Sequence, residues 1–253
     1  MTGAEHLAVL GAGLVAGILT STVGVASLVS FPVLLAVGLP PVVANVSNTV
    51  GLIPAGLSGS FGYRAELREH PRATRSVVVC CAVGAVGGAG LLLTLASESF
   101  EAVVPWLILF SCLLVGVQPW VSAWLKRHQS ADQAPPRTTL SPVTAFFAVL
   151  TGVYAGYFGA GSGVLMVAVL GLGTDIDLRV VNGIKTLAVM TGNLVAGAIF
   201  VVVAEVEWTA VLLLASGSLV GGYVGARVGR RLPPRLFRAL VVVAGVVAAV
   251  ALF

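Results

Sequence analysis

A lysine, Lys185, stands in a long apolar stretch between residues 180 and 204 that holds no other charged side chain. A charged side chain at the centre of a bilayer costs about 3 kcal/mol on insertion scales, so such residues usually mark a functional site. An ammonium group inside the membrane attracts negative charge. Lys185 therefore predicts a site for a small anion within a membrane protein.

Uncharged polar residues and glycines lie near Lys185 in the sequence and at related positions in the first half of the chain. Side-chain amides and hydroxyls can donate hydrogen bonds to an anion, and glycine lets a ligand approach the backbone. Helix N-termini add donors, because their first N–H groups are unpaired and the helix dipole is positive there. The predicted binding residues are Lys185, Asn48, Thr49, Asn45, Asn182, Thr186, Ser21, Thr22, Gly24, Gly161, Ser162 and Gly163, with Asn193 as a further donor.

Residues that could catalyse a reaction or bind a metal do not occur at the spacings typical of such sites. Cys80, Cys81 and Cys112 lie in apolar segments, and the three histidines lie in predicted loops. Neither set forms a metal motif, and no His/Asp/Glu or Cys/His cluster suggests a reaction. We therefore expect no catalytic residue, no metal and no cofactor, and predict that the protein is not an enzyme.

The composition indicates the class of protein. Hydrophobic residues make up 58% of the 253 residues and charged residues only 9%, whereas soluble domains are about 25% charged. Apolar runs of about 20 residues are long enough to cross a bilayer as helices. We predict an all-α polytopic membrane protein. The net charge of +4 does not indicate nucleic acid, because the arginines lie in loops, where they set topology.

The N-terminal apolar segment has no preceding basic region and no clear cleavage site. We therefore expect it to be part of the fold and not a removable signal peptide.

The chain contains an internal duplication. A Gly-rich motif, GLVAG, returns in the second half as GVYAG, and a glycine follows each motif at the same spacing. After a two-residue gap, a polar cluster in the first half aligns with the segment around Lys185. The matched pairs are 13–17 with 152–156, Gly24 with Gly163, Asn45 with Asn182, Asn48 with Lys185, and Thr49 with Thr186.

Loop charges indicate that the two halves have opposite orientations in the membrane. In the first half the loop at 64–75 is basic and the next, at 98–101, is acidic. In the second half the acidic loop, 205–207, comes before the basic one, 227–238. Because basic loops face the cytoplasm, the halves are predicted to be inverted repeats, as in many secondary transporters.

Inversion requires an odd number of crossings in each half. Three later segments cross, so the first segment, which is interrupted near residues 20–24, must return to its starting side. Its arms of about 15 residues span roughly 22 Å, short of the roughly 30 Å apolar core, so we predict a re-entrant or broken helical hairpin. The predicted first repeat is 1–125, with hairpin 7–38 and helices 42–62, 76–96 and 102–124; a cytoplasmic linker is 126–139; the second repeat is 140–253, with hairpin 142–173 and helices 180–203, 208–229 and 236–253.

This topology places all but one of the 14 Lys and Arg residues on the cytoplasmic side, the exception being Lys185. Both termini are then predicted to lie outside the cytoplasmic membrane. Counting each hairpin as a single crossing would place the arginines of 227–238 outside, which the positive-inside rule disfavours. The expected partners are the lipid bilayer and a small anion, and a homo-oligomer is left open.

The duplicated arrangement resembles the TauE/SafE sulfite exporter family over nearly the whole chain. The resemblance rests on the Gly-rich hairpin segments followed by polar clusters, and on a Gly-rich penultimate helix. It implies a secondary transporter that moves sulfite, a sulfonate or a related organosulfur anion across the cytoplasmic membrane. The first hairpin departs from the family by having one glycine in TVGVAS. The segments are 13–32 with 44–49 (ANVSNT), 152–163 with 182–186 (NGIKT), and 221–227 (GGYVGAR).

Export by alternating access at a midplane site is the leading interpretation, and six simpler or competing ones stay open. The transporter could import its anion, the protein could be an anion channel, or it could be a membrane assembly factor without transport activity. Lys185 could snorkel to the cytoplasmic interface. Asn45 and Asn182 could be helix caps. Glycines at the hairpin breaks, at 84–90 and at 217–225 could serve helix packing alone.

The sequence leaves the energy source undetermined. No Asp or Glu lies within a predicted membrane segment, so a carboxylate proton relay is not evident. Titration of Lys185, co-transport with a protonating substrate and uncoupled passage are all open. Our hypothesis is that the membrane potential or a proton gradient drives transport.

Overall fold

The computed structural model describes residues 2–129, 137–228, 242–243 and 245–250, and the regular secondary structure in these ranges is helical. The predicted helix 236–253 lies largely outside the described residues, and so does half of the predicted linker 126–139. The helices are α1 (Gly3–Thr22), α2 (Ser27–Ala36), α3 (Pro41–Gly51), α4 (Ile53–Gly62), α5 (Arg64–Leu67), α6 (Pro71–Thr94), α7 (Ser97–Gln129), α8 (Pro142–Tyr157), α9 (Ser162–Gly173), α10 (Leu178–Val203) and α11 (Trp208–Val228).

Five of the described helices are long and apolar enough to cross a membrane. The prediction of an all-α polytopic membrane protein is therefore confirmed. Two helices with a break between them open each half: α1 and α2 in the first, and α8 and α9 in the second. The five candidate spans are Gly3–Thr22, Pro71–Thr94, Ser97–Trp124, Leu178–Val203 and Trp208–Arg227.

The second hairpin consists of α8, with 16 residues, and α9, with 12. These lengths correspond to about 24 and 18 Å, so neither arm spans an apolar core of roughly 30 Å. Arg137, before α8, and Asp175, after α9, form a salt bridge of 3.0 Å. The Arg137 carbonyl also accepts a hydrogen bond of 3.0 Å from the Asp175 N–H. The two ends of this hairpin therefore lie side by side, as a re-entrant element requires.

The first hairpin has unequal arms, and here the expectation of two short arms was wrong. Helix α1 has 20 residues, or about 30 Å, which is long enough to cross by itself. Thr2 and Glu5 form a capping box that starts the helix at Gly3, four residues earlier than expected. The returning arm, α2, has only 10 residues.

The predicted helix 42–62 is divided in the structure. Helices α3 and α4 meet at Leu52, two residues before Pro54. A proline removes one backbone N–H and its ring clashes with the preceding turn, which breaks a helix. The repeat counterpart, α10, has no proline and continues unbroken for 26 residues.

The two halves exchange their hairpin arms. Helix α1 of the first half packs along α11 of the second, and α8 of the second half packs along α6 of the first. Glycines form both contacts: a methyl group on Gly17 would collide with the α11 backbone, and one on Gly156 with the backbone of α6. The same contacts include further glycines that serve close helix packing, namely Gly84 and Gly88 of α6 and Gly217, Gly221 and Gly225 of α11.

Candidate anion site

The two hairpin breaks meet at the centre of the molecule. A methyl group on Gly24 would lie 3.1 Å from the Cα atom of Gly163, and one on Gly163 would lie 2.9 Å from the Cα atom of Gly24. These are the glycines that the repeat aligns. Gly24 has a φ of +83°, a left-handed conformation that glycine adopts without steric cost. The contact between the halves is therefore made by backbone on both sides.

Lys185 lies directly beside this contact. A methyl group on Gly24 would be 3.3 Å from its Nζ atom. The side chain is only 1% exposed, and Nζ has no hydrogen-bond partner. Because the ammonium group is buried against the hairpin breaks, it does not snorkel to the aqueous interface. Burial of an unpaired charge is costly unless a counter-charge arrives.

The two helices that start at the breaks add positive potential. Helix α2 starts after Ala26 and helix α9 after Gly161, and neither residue caps its helix with a side chain. Several N–H groups at these starts already donate to carbonyls of the breaks, including Leu28 to Val25 and Ser162 to Gly159, so what the helix starts offer an anion is the positive end of the helix dipole. Gly161 has a φ of +78° and lies against Ser111 of α7.

Asn48, the repeat counterpart of the lysine, is in a different environment. Its Nδ2 donates a hydrogen bond of 3.0 Å to Ser27 Oγ, and its Oδ1 accepts one from Ser30 Oγ. At the offset that matches Gly24 to Gly163, the corresponding residues of α9 are Met166 and Val169. The asparagine is therefore satisfied by its own hairpin, whereas the lysine has only apolar side chains at those positions.

The two remaining asparagines of the predicted site lie inside helices, so the alternative that they are caps is wrong. Asn45 donates from Nδ2 to the carbonyl of Tyr157 at 2.9 Å, and its buried Oδ1 has no partner. Asn182 donates to the carbonyl of Leu178 in its own helix at 2.8 Å. The N-cap of α10 is Asp177. Asn45 thus ties α3 to the end of α8.

The hydroxyl groups of the predicted site mostly donate to backbone carbonyls. Ser21 holds the end of α1 to α11, and together with Thr186 it lies against Gly59 of α4. The three threonines of the predicted site donate within their own helices. The bonds are Ser21 Oγ to Gly222 O, Thr22 Oγ1 to Ile18 O, Thr49 Oγ1 to Asn45 O, and Thr186 Oγ1 to Asn182 O.

A small inner cavity lies beside the breaks. Its volume of about 20 Å³ is enough for about one water molecule. Polar groups from both hairpins and from α10 face it, including Asn193, which lies two turns after Lys185. Its lining residues are Thr20, Gly24, Ala26, Ser27, Leu52, Gly159, Ser162, Val189 and Asn193.

A separate cleft, which we call the vestibule, contains two further residues of the predicted site, Thr22 and Asn182. Its volume is about 370 Å³. It lies at the ends of helices that the predicted topology places on the cytoplasmic side. The vestibule is lined by Thr22, Gln118, Pro119, Ser122, Ala123, Val167, Leu178 and Asn182.

A larger concavity, of about 740 Å³, lies between α8 and α9 and contains none of the predicted binding residues. Its walls are mainly apolar. The arginine at its rim, Arg137, is already paired with Asp175. Lys185, whose Nζ atom has no partner, is therefore a better candidate for contact with an anion than this groove.

Sequence reasoning missed three residues near the site. Ser27 binds Asn48 and faces the inner cavity. Gln118 lines the vestibule; its signal was a lone amide in an apolar helix. Glu66 is a buried carboxylate, only 4% exposed. A methyl group on Gly183 would lie 3.5 Å from its Cβ atom.

Comparison with known proteins extends the resemblance. The family model described as sulfite exporter TauE/SafE matches residues 9–252. The chain is 25% identical over 244 residues to "Probable membrane transporter protein ORF9" of Sinorhizobium sp, covering 95% of this chain and 89% of that protein. It is 24% identical over 249 residues to "Probable membrane transporter protein" of Haemophilus influenzae, covering 95% and 92%. No solved structure gives a significant match. Since the family model covers almost the entire sequence, the chain belongs to the sulfite exporter TauE/SafE family.

Proposed function

We propose that this protein is a secondary transporter that exports a small sulfur-containing anion (sulfite, a sulfonate or a related organosulfur anion) across the cytoplasmic membrane. The observation that carries the proposal is the buried ammonium of Lys185, which has no partner and lies where the two hairpin breaks meet. The family, named for sulfite export, supplies the substrate class.

The arrangement favours an anion for reasons of charge. Lys185 provides a full positive charge, and the starts of α2 and α9 provide partial ones. A bound oxyanion would accept hydrogen bonds from the lysine, with the side chains of Ser162 and Asn193 as neutral donors in the adjoining cavity. Asn48 is then a positioning residue, because its side chain is engaged by Ser27 and Ser30.

The geometry supports a carrier more than a channel. The backbones of the two hairpins touch at Gly24 and Gly163, and the cavity beside them holds about 20 Å³, too little for an oxyanion. An anion can therefore be bound only after the hairpins separate, as alternating access between two repeats requires. The vestibule, on the side predicted to be cytoplasmic, gives the anion a route to the site from within the cell.

Calorimetric titration of the purified protein tests this function. Sulfite, thiosulfate, sulfoacetate, taurine and sulfate form the ligand panel. Replacement of Lys185 by Met preserves most of the side-chain volume and removes the charge. Losing one partner of a buried charged pair costs about 2–5 kcal/mol, so affinity for the best ligand is expected to fall at least ~30-fold.

Arg179→Ala is the matched control, because it removes one positive charge from the same helix at an exposed position. The affinity of Arg179→Ala for the best ligand is expected to equal that of the wild type. Unchanged binding by a correctly folded Lys185→Met protein would refute the assignment of the site. Saturable counterflow in proteoliposomes is expected for a carrier, and its absence alongside a conductive flux would indicate a channel instead.

A further inference from the structure

Gln118 occupies the boundary between the vestibule and the centre of the protein. It belongs to α7 and is only 6% exposed, yet it contributes to the vestibule wall. Its Nε2 donates a weak hydrogen bond to the carbonyl oxygen of Val23, at 3.5 Å, which is longer than the usual range of about 2.7–3.2 Å. Val23 immediately precedes Gly24, against which Lys185 is packed. A neutral side chain from a different element therefore holds the first hairpin at its break.

The chain on either side of Val23 faces two different spaces. Thr22 lines the vestibule, whereas Gly24 lines the inner cavity. The two spaces share no lining residue. The short segment 22–24, with the amide of Gln118 bound to it, is thus a partition between them.

The side chain of Gln118 is weakly held. Its Oε1 atom is buried and has no hydrogen-bond partner, a situation that costs about 1–3 kcal/mol relative to a satisfied carbonyl. The next residue, Pro119, lies inside α7, where it removes a backbone hydrogen bond and allows the helix to bend. A small movement of α7 at this point would release Val23 and give Oε1 access to water.

We propose that Gln118 is the inner gate of the transport path, closing the vestibule from the Lys185 site by its hydrogen bond to Val23. The role of Gln118 in transport rests on the proposed function, although closure of the gate can be tested without any transported anion. An amide suits the position because it can donate to a passing oxyanion without retaining it as a fixed positive charge would.

The gate is tested by the accessibility of a thiol beyond it. Val189 lines the inner cavity one turn after Lys185, so Val189→Cys reports on entry. The probe is 2-sulfonatoethyl methanethiosulfonate applied to purified protein in detergent, with labelling measured by intact mass. Gln118→Ala in the Val189→Cys background is expected to raise the labelling rate at least tenfold. Protein with Val189 intact gives the background from the three native thiols, Cys80, Cys81 and Cys112.

Ser122→Ala is the matched control, since Ser122 lies on the same wall of the vestibule, one turn further along α7. Its labelling rate is expected to equal that of the parent. Gln118→Asn keeps the amide but shortens its reach, so it should also raise labelling, and it replaces Gln118→Ala if the latter does not fold. Labelling that stays at the parental rate in both Gln118 variants, or rises equally in Ser122→Ala, would overturn the gate.

The outcome is independent of whether an anion binds at Lys185. Failure of every ligand in calorimetry together with faster labelling would leave the gate intact and reject the proposed function. Normal anion binding with unchanged labelling would support the proposed function and reject the gate. As a second readout, Gln118→Ala is expected to increase sulfite leak from proteoliposomes, which a residue that served stability alone would not change.

Discussion

Lys185 and Asn48 show how one position can serve two purposes in a duplicated protein. The repeat aligns them, but two serines of α2 satisfy Asn48, whereas the ammonium of Lys185 has no partner. A polar group that is fully hydrogen-bonded gains little from a ligand, while a buried unpaired charge gains much. In the proposed transporter, the asymmetry therefore favours ligand binding by the second half and structural support by the first.

Gly24→Ala is predicted to weaken anion binding at least tenfold. The left-handed backbone costs an L-residue about 1–2 kcal/mol, and the added methyl group would lie 3.1 Å from Gly163 Cα and 3.3 Å from Lys185 Nζ. The lysine must therefore shift. Calorimetry with sulfite measures the affinity, and the unfolding temperature in detergent measures the stability.

Gly38→Ala separates the effect of backbone strain from the effect of contact with Lys185. Gly38 has a similar φ of +89°, but a methyl group there would meet nothing within 4 Å. This variant should lose stability through backbone strain and keep wild-type affinity. Equal losses of affinity in both variants would show that strain, and not contact with the lysine, determines the effect of Gly24→Ala.

Single residues were predictable where their chemistry was conspicuous. Lys185 could be identified because one charge in an apolar run has few explanations, and the repeat aligned Gly24 with Gly163. The partners of Asn48 could not be predicted, since they depend on the rotation of α2, which begins at Ser27 without a cap signal. Gln118 was missed because its role depends on contact with a residue of another element.

At the scale of elements, the salt bridge between Arg137 and Asp175 is predicted to stabilise the second hairpin in a pH-dependent way. Hydrogen bonds from the Arg137 side chain lower the pKa of Asp175 below its ordinary value. A carboxylate with a depressed pKa in the folded state stabilises the protein above its unfolded-state pKa, about 3.9, and this contribution is lost as pH falls through the folded-state pKa. Asp175→Asn should therefore lower the unfolding temperature at neutral pH, with the difference vanishing in strong acid.

Asp177→Asn is the control for the salt bridge between Arg137 and Asp175. Asp177 is the N-cap of α10, and asparagine caps helices about as well as aspartate, so this variant should remain close to the wild type. A difference between Asp175→Asn and the wild type that persists undiminished in strong acid would contradict the ionic explanation. The change is expected to be small because the pair is exposed.

The exchanged helix pairs make a second prediction at this scale. A methyl group on Gly88 would collide with the carbonyl of Val153 in α8, whereas one on Gly90 would meet nothing within 4 Å. Gly88→Ala should therefore lower the unfolding temperature by several degrees. Gly90→Ala, in the same helix, should raise it slightly, because alanine is favoured over glycine in a helix by up to about 1 kcal/mol. Equal effects would refute close packing as the role of Gly88.

Element existence was predictable, and element boundaries less so. Apolar length indicated the long helices α6, α7, α10 and α11, and glycines and polar residues indicated the breaks in both hairpins. The division of α3 from α4 was missed because Pro54 was counted as part of an apolar run. The length of α1 was underestimated because the capping box formed by Thr2 and Glu5 lies outside the apolar segment.

At the scale of the whole molecule, the two halves are held together because each packs a hairpin helix against the other. Each half contributes one hairpin whose first arm packs against the other half, and the breaks meet between them. Separating the hairpins would therefore move helices of both halves together. The vestibule reaches Thr22 and Asn182, while the inner cavity holds only about 20 Å³. For the proposed carrier, this is a conformation without room for the anion beside the breaks, with the vestibule on the side predicted to be cytoplasmic.

The inverted arrangement predicts which loops share a side of the membrane. Glu98 follows α6 and Glu205 follows α10, so the two loops occupy different positions in their repeats. They lie on the same side only if the repeats are inverted. Glu98→Cys and Glu205→Cys should both react with an impermeant thiol reagent on intact cells, whereas Arg72→Cys, in the basic loop of the first half, should react only after permeabilisation. All three positions are exposed, and the wild type corrects for native thiols. Labelling of Glu98→Cys and Glu205→Cys from opposite sides would exclude inversion, and with it the prediction that Lys185 lies at the interface of two inverted repeats.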